Sequence, residues 1–322
     1  MYKAVTVGLG NIAWKMGSDS VSGASLCHRD SYEKNDKTIL VGGYSPFRSD
    51  VELFSNSTDI QGYDSLSSML EEVKPDIVSI CSPENNHAEN LEECIARKVP
   101  MIWLEKPATT STSDSIKLEN LRSSMSPMSK VLVNYQRRYT SSYQQVKDLL
   151  VREVYGKCLS VNINYSLGLV KNGSHMMDIL NYLFPLEKLS LLWVEKKVDI
   201  QSPSFVLSTS DNIIIQVSGI ESTFHNIDIS VTFEEARVSV LHGGMTSRVE
   251  NVKENDLFPG YYRLYDENPC TLKNSGFDFS FDKALSNLID SFESDSEPLS
   301  NLATVLHSQR LVEAVLNQSI DA

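Results

Sequence analysis

Along the first 135 positions, hydrophobic residues fall into short unbroken runs separated by segments with helical spacing. The runs are 3–7 (KAVTV), 38–44 (TILVGGY), 76–80 (DIVSI), 100–104 (PMIWL) and 130–135 (KVLVNY). From Asp64, which can cap a helix, Leu66, Met69, Leu70 and Val73 share one face. From Asn85, Leu91, Cys94 and Ile95 do the same, and 112–122 also reads as helix. Apolar strands alternating with amphipathic helices predict right-handed βαβ units in a parallel sheet covered on both faces. On such a sheet, ligands sit at the carboxyl ends of the strands.

The second half reads differently. A helix is expected over 141–156, a long strand over 157–166 and a helix over 172–184. Strand-like runs then follow near 188–199, 204–209, 212–219, 226–233, 235–241 and 246–252, with hairpin turns at Asp211-Asn212 and Glu234-Glu235. Successive strands without intervening helices predict an α+β domain with a large open, mostly antiparallel sheet, one face of which must be covered. Amphipathic helices close the chain at 280–293 and 299–318, broken by SDSEPLS. We place the boundary between a doubly wound parallel domain, 1–136, and the α+β domain, 137–322. The last helix is expected to pack back on the first domain.

Composition narrows the function. Of 322 residues, 41% are hydrophobic and 22% charged, as in ordinary soluble domains. The net charge of -13 argues against nucleic acid or an anionic membrane as the main partner. No apolar run is long enough for a membrane span, and the N-terminus runs straight into a strand without a secretory pattern. Cys27, Cys81, Cys94, Cys158 and Cys270 are scattered, with no CxxC or metal-type spacing. They read as reduced thiols in a cytoplasmic protein without zinc.

Three stretches carry candidate chemistry. GLGNIA follows the first strand, with Gly8 and Gly10 at the glycine places of a dinucleotide turn, Asn11 and Ile12 beside them, and Ala13 in the third, small place. The end of the second strand, where NAD proteins usually carry an acid, reads GGYSPFRS. Ser45 takes the acidic place and Arg48 follows. A hydroxyl and a guanidinium suit a 2′-phosphate, so NADP is expected rather than NAD; otherwise Ser45 forms a turn and Arg48 is a solvated helix-start residue. Third, WLEKP holds Lys106 between Glu105 and Pro107 just past a central strand, as a ligand-facing lysine or as half of a surface ion pair.

Four further motifs extend this order: CSPENNHAE at 81–89, EKP at 105–107, NYQRRY at 134–139 and NGSHMMDILNYLF at 172–184. Together with GLGNIA they resemble the glucose–fructose oxidoreductase, inositol dehydrogenase and rhizopine-catabolism (Gfo/Idh/MocA) family. Within it, the pattern is most similar to members associated with surface-polysaccharide sugars. The resemblance implies a Rossmann domain and hydride transfer between nicotinamide and a hydroxyl or keto carbon of a sugar, polyol or sugar nucleotide. It implies that Lys106 bonds the substrate hydroxyl and the nicotinamide ribose, with Glu105 positioning its loop, and that His175 is the second proton-transfer group. Cys81, Ser82, Pro83, Asn86 and His87 would line the cofactor, with His87 alternatively a helix cap. Arg138 would lie near the nicotinamide. Arg137, Asn172 and Asp178 would face the substrate, Asp178 orienting His175 or standing as a plain helix-face acid. Where many members have an acid, this chain has Lys171, which suits an anionic substrate group or a site whose catalysis is lost. The resemblance also implies a homodimer or homotetramer through the C-terminal sheet. The alternatives are a cofactor-binding regulator without turnover, and epimerisation or elimination with the cofactor recycled in place.

Overall fold

A computed structural model describes residues 1–16, 23–184, 189–196, 200–266 and 276–320. In chain order the elements are β1 (Tyr2–Val7), α1 (His28–Lys34), β2 (Thr38–Tyr44), α2 (Arg48–Thr58), β3 (Gly62–Tyr63), α3 (Leu66–Val73), β4 (Ile77–Ile80), α4 (His87–Ala96), β5 (Met101–Leu104), α5 (Thr112–Ser124) and β6 (Lys130–Val133). They continue with α6 (Ser141–Arg152), β7 (Cys158–Ser166), α7 (Ser174–Leu183), β8 (Leu189–Val194), β9 (Phe205–Thr209), β10 (Ile214–Ile220), β11 (Ile227–Phe233), β12 (Ala236–Leu241), β13 (Thr246–Asn255), β14 (Phe258–Tyr265), α8 (Ser280–Glu293) and α9 (Leu302–Ile320). Two compact units result. One comprises 1–136 with 278–306, the other 137–277 with 307–322.

The first unit is a six-stranded parallel sheet in the order β3-β2-β1-β4-β5-β6. β4, β5 and β6 are buried at every residue, which is why they read as unbroken apolar runs. Val5, Val7, Val78, Ile80, Ile102, Leu104, Val131 and Val133 form its core with Leu91, Leu118 and Leu306. The strand order reverses between β1 and β4, and that reversal opens the ligand crevice of a doubly wound sheet. The first helical segment is one π-helical turn, 11–15, followed by 23–26 without regular structure. The Ser/Gly-rich stretch MGSDSVSGAS at 16–25, which reads as a loop insertion after a short first helix, falls largely on 17–22, outside the described residues.

The second unit is an eight-stranded sheet, β14-β13-β12-β11-β7-β10-β9-β8, antiparallel except where β10 runs with β7. Its strands alternate. Val161, Ile163, Tyr165, Ile229 and Val231 point into a core with Met176, Met177 and Leu180 of α7, Tyr143 and Val146 of α6, and Val312 and Val315 of α9. The opposite face carries Asn162, Asn164, Gln216, Ser230 and Thr232. The face that must be covered is therefore covered by this chain's own helices, and the other is mostly polar. Exposed apolar side chains concentrate instead on the β13–β14 hairpin, at Leu257, Phe258, Tyr261 and Tyr262.

Candidate functional site

At the carboxyl ends of β1 and β4, the two glycines of GLGNIA do different work. Gly8 has φ +95°, and a Cβ there would lie 2.6 Å from the Ser82 nitrogen and 2.7 Å from the Cys81 carbonyl. Only glycine lets the two loops meet at this point. Gly10 is exposed, with φ -82° and ψ -169°, and among the described residues a Cβ would meet nothing within 4 Å. Packing among those residues does not call for glycine there, while close approach of a phosphate would. Asn11 is exposed and Ile12 half-buried beside it, and Ala13 is fully buried as the third place requires.

Glu105 lies buried at the end of β5. Its Oε1 accepts from His28 Nε2 (2.9 Å) and from Asn134 Nδ2, and its Oε2 accepts from the Lys106 backbone N–H (3.3 Å). Burial pushes the carboxyl upward. The His28 and Asn134 bonds, with the charges of His28 and Lys106, more than offset it, and Glu105 ends below the usual carboxylate range. The expected loop-positioning role thus has a geometry, and Lys106 is half-buried on that loop, before a cis Lys106–Pro107 bond. His28 and Asn134 were missed in the sequence. Asn134, a polar residue ending an apolar strand, was a readable signal; His28 had none.

Other expected cofactor residues are partly engaged elsewhere. His87 is buried, with Nδ1 2.9 Å from the Pro107 carbonyl and Nε2 2.9 Å from the Ser82 carbonyl. It staples the loops after β4 and β5, in place of the expected cofactor contact or cap. Cys81 is buried, which pushes its thiol up. Ser82 is half-buried and accepts from Asn90, while Pro83 and Asn86 are exposed. Ser45 Oγ donates to Asp50 (3.1 Å), an acid the sequence reading passed over, and accepts from Phe47 N–H. Arg48 is exposed and pairs with Glu52 (2.9 Å).

In the second unit, Arg138 forks onto Asp178 with bonds of 2.6 and 2.8 Å, and both side chains are buried. Burial, the larger effect, pushes the Asp178 carboxyl up, and Arg138 opposes it. Asp178, expected to face substrate or orient His175, and Arg138, expected near the nicotinamide, are bonded to each other. Arg137 is buried, and among the described residues no carboxylate bonds it; it donates to the Gly243 carbonyl and faces His225 Nε2 (3.2 Å). Lys171 is exposed, Asn172 buried, and His175 half-buried in the first turn of α7. Among the described residues, no group of three His, Cys, Asp or Glu could hold a metal ion, and Cys27, Cys81, Cys94 and Cys158 form no disulfide with one another. Cys270 lies outside the described residues.

The reversal in strand order, with a glycine turn at its crevice, defines a dinucleotide-binding architecture. The model of an oxidoreductase family with an NAD-binding Rossmann fold, GFO_IDH_MocA, matches residues 3–131. The match lies within the first unit and marks its Rossmann domain as similar to those of Gfo/Idh/MocA oxidoreductases. No curated protein sequence matches the chain. Solved structures extend the likeness in fold over both units. The MviM dehydrogenase of Clostridium difficile is 19% identical with a TM-score of 0.75, covering 98% of this chain and 99% of that one. The WlbA dehydrogenase of Bordetella pertussis, solved with NADH and UDP-GlcNAcA, is 16% identical with a TM-score of 0.77 (99% and 96%). KijD10, a 3-ketoreductase of Actinomadura kijaniata solved with NADP, is 15% identical with a TM-score of 0.73 (98% and 97%). At these identities the likeness establishes the fold. No helix among the described residues is long and apolar enough to cross a membrane.

Proposed function

We propose that this chain is an NADP(H)-dependent oxidoreductase of the Gfo/Idh/MocA family that moves a hydride between nicotinamide and a hydroxyl or keto carbon of a sugar, polyol or sugar nucleotide. The observation that carries the cofactor is Gly10, whose lack of a side chain no contact among the described residues explains. Gly8, Gly10, Asn11 and Ile12 would hold the pyrophosphate, with Ser82, Pro83 and Asn86 along the neighbouring loop. Ser45 and Arg48 would take the 2′-phosphate. An exposed i,i+4 pair such as Arg48–Glu52 is worth only about 0.3–0.5 kcal/mol, so Arg48 can leave it at little cost.

The bound cofactor supplies or accepts hydride. The chain's own task is to move the proton at the reacting oxygen. Lys106 is proposed for it, because an ammonium stabilises developing alkoxide charge and donates in the reverse direction. His175 is proposed as a second proton-transfer group on the strength of its motif. Arg137, a buried cation bonded to no carboxylate among the described residues, and Lys171 favour an anionic group on the substrate, as in a sugar nucleotide. The exposed hydrophobic residues of the β13–β14 hairpin favour a homodimer or homotetramer.

Turnover tests the reading. Nicotinamide absorbance is followed with UDP-, dTDP- and GDP-sugars and myo-inositol, for wild type and Lys106→Ala. Lys106→Ala should lower kcat by about 100-fold or more while NADPH affinity changes little; an unimpaired variant would refute the role of Lys106. The second reading, a cofactor-binding regulator, is favoured by Lys171 in the acid position. It predicts NADPH binding with no turnover on any of these compounds.

A further inference from the structure

We propose that His28 is a positioning residue for Lys106: it fixes the Glu105 carboxylate so that the second carboxylate oxygen holds the Lys106 amide. The inference deepens the proposed role of Lys106 and takes its functional meaning from that role. His28 opens α1 and is fully buried. Its ring lies between Trp103 (centroids 3.9 Å apart) and Phe281 (5.5 Å). An apolar ring would fill that space equally well, so packing alone does not account for a histidine.

The polar contacts do. Nε2 faces Glu105 Oε1 at 2.9 Å, and Nδ1 faces Ser79 Oγ at 2.8 Å, which in turn meets the Tyr32 hydroxyl at 2.5 Å. An ionised carboxylate can only accept, so Nε2 carries the hydrogen. Oε1 is then saturated by His28 and Asn134, which leaves Oε2 turned toward the Lys106 N–H. A buried carboxylate is expensive unless donors surround it. Donors from α1, the chain after β6 and the Lys106 backbone converge on this one. The arrangement ties the backbone of Lys106 to the packed interior of the sheet.

The side chain of glutamine places its amide nitrogen near the position of histidine Nε2, whereas that of asparagine reproduces Nδ1. His28→Gln therefore keeps the donor to Glu105, His28→Asn keeps only the Ser79 side, and His28→Phe keeps the ring alone. Two readouts report on Lys106 without substrate. One is exchange of its backbone amide in 15N-lysine-labelled protein, assigned with Lys106→Arg. The other is acetylation of its Nζ by limiting acetic anhydride relative to Lys117, read by mass spectrometry. His28→Gln should match wild type within about twofold, while His28→Asn and His28→Phe speed amide exchange about three- to tenfold, the worth of one hydrogen bond, and shift the acetylation ratio. A folded His28→Phe or His28→Asn with wild-type exchange and acetylation would overturn the proposal. If His28→Phe does not fold, equal behaviour of the Gln and Asn variants would do the same. Failure of Lys106 as the proton-transfer residue would appear in turnover and leave these readouts unchanged.

Discussion

Changing Gly10 to alanine should leave the protein intact and remove its cofactor, while the same change at Gly8 should damage the fold. Gly10 has extended backbone angles that alanine adopts freely, and the added methyl would touch nothing among the described residues. Such a substitution stabilises by about 0.4–1 kcal/mol through the unfolded state. For a chain of this size that is a rise in Tm of about 1–4 °C. A methyl pressed into a bound pyrophosphate is an overpacking problem of about 1–3 kcal/mol. Binding of NADPH should then weaken about 5- to 100-fold, at 1.4 kcal/mol per decade. At Gly8 the methyl would sit 2.6 Å from the Ser82 backbone nitrogen at φ +95°. Left-handed strain of about 1–2 kcal/mol adds to the overpacking, so Gly8→Ala should lose about 2–5 kcal/mol of stability. Circular dichroism melting without cofactor reads the first effect and NADPH titration the second. A Gly10→Ala protein that binds NADPH like wild type, or that melts well below it, refutes the reasoning.

Three other outcomes follow from the same geometry. Arg138→Met leaves Asp178 charged and buried, and should lose about 3–5 kcal/mol in urea unfolding, most of it recovered by adding Asp178→Leu. A folded-state pKa below the unfolded value means that Glu105 stabilises the protein above about pH 4.5, and that this is lost as pH falls through its folded pKa. Glu105→Gln should therefore be less stable at pH 7 and show a flatter loss below about pH 4.5 in urea midpoints taken against pH. Asp50→Asn removes a carboxylate beside Ser45 and should tighten NADPH about fivefold, the worth of about 1 kcal/mol between charges 4 Å apart in water, whereas Ser45→Asp should weaken it; fluorescence titration reads both.

How far the sequence revealed this depended on whether the signal was local. β1, β4, β5 and β6 were legible because burial on both faces leaves unbroken apolar runs. The turns at Asp211-Asn212 and Glu234-Glu235 fell where β9 and β11 end. β14 was not foreseen: FPGYYRLY contains Pro259 and Gly260, which weaken a strand reading and are tolerated here because the strand is at the sheet edge. Of α2 only a start at Arg48 could be read, as one of two alternatives, since Phe54 is its only buried residue and leaves no apolar face to read. Gly8 and Gly10 could be read from spacing, though not their division of labour, which depends on the Cys81–Ser82 backbone. Lys106 could be read from its place at a strand end. His28 could not, because its meaning lies in a contact with a residue 77 positions away. The Arg138–Asp178 pair was hidden for the same reason; the two residues sit 40 positions apart.

Titration of the purified protein with NADPH and with NADH tests the central claim most directly. Trp14 follows the glycine turn and its indole N–H donates to the Leu9 carbonyl, so its emission should report on a ligand at Gly10. The account predicts saturable quenching by both, with NADPH binding at least about tenfold more tightly, a preference of about 1.4 kcal/mol. Tighter binding of NADH would contradict the assignment of Ser45 and Arg48 while leaving the site in place. Absence of binding by either would contradict the account itself.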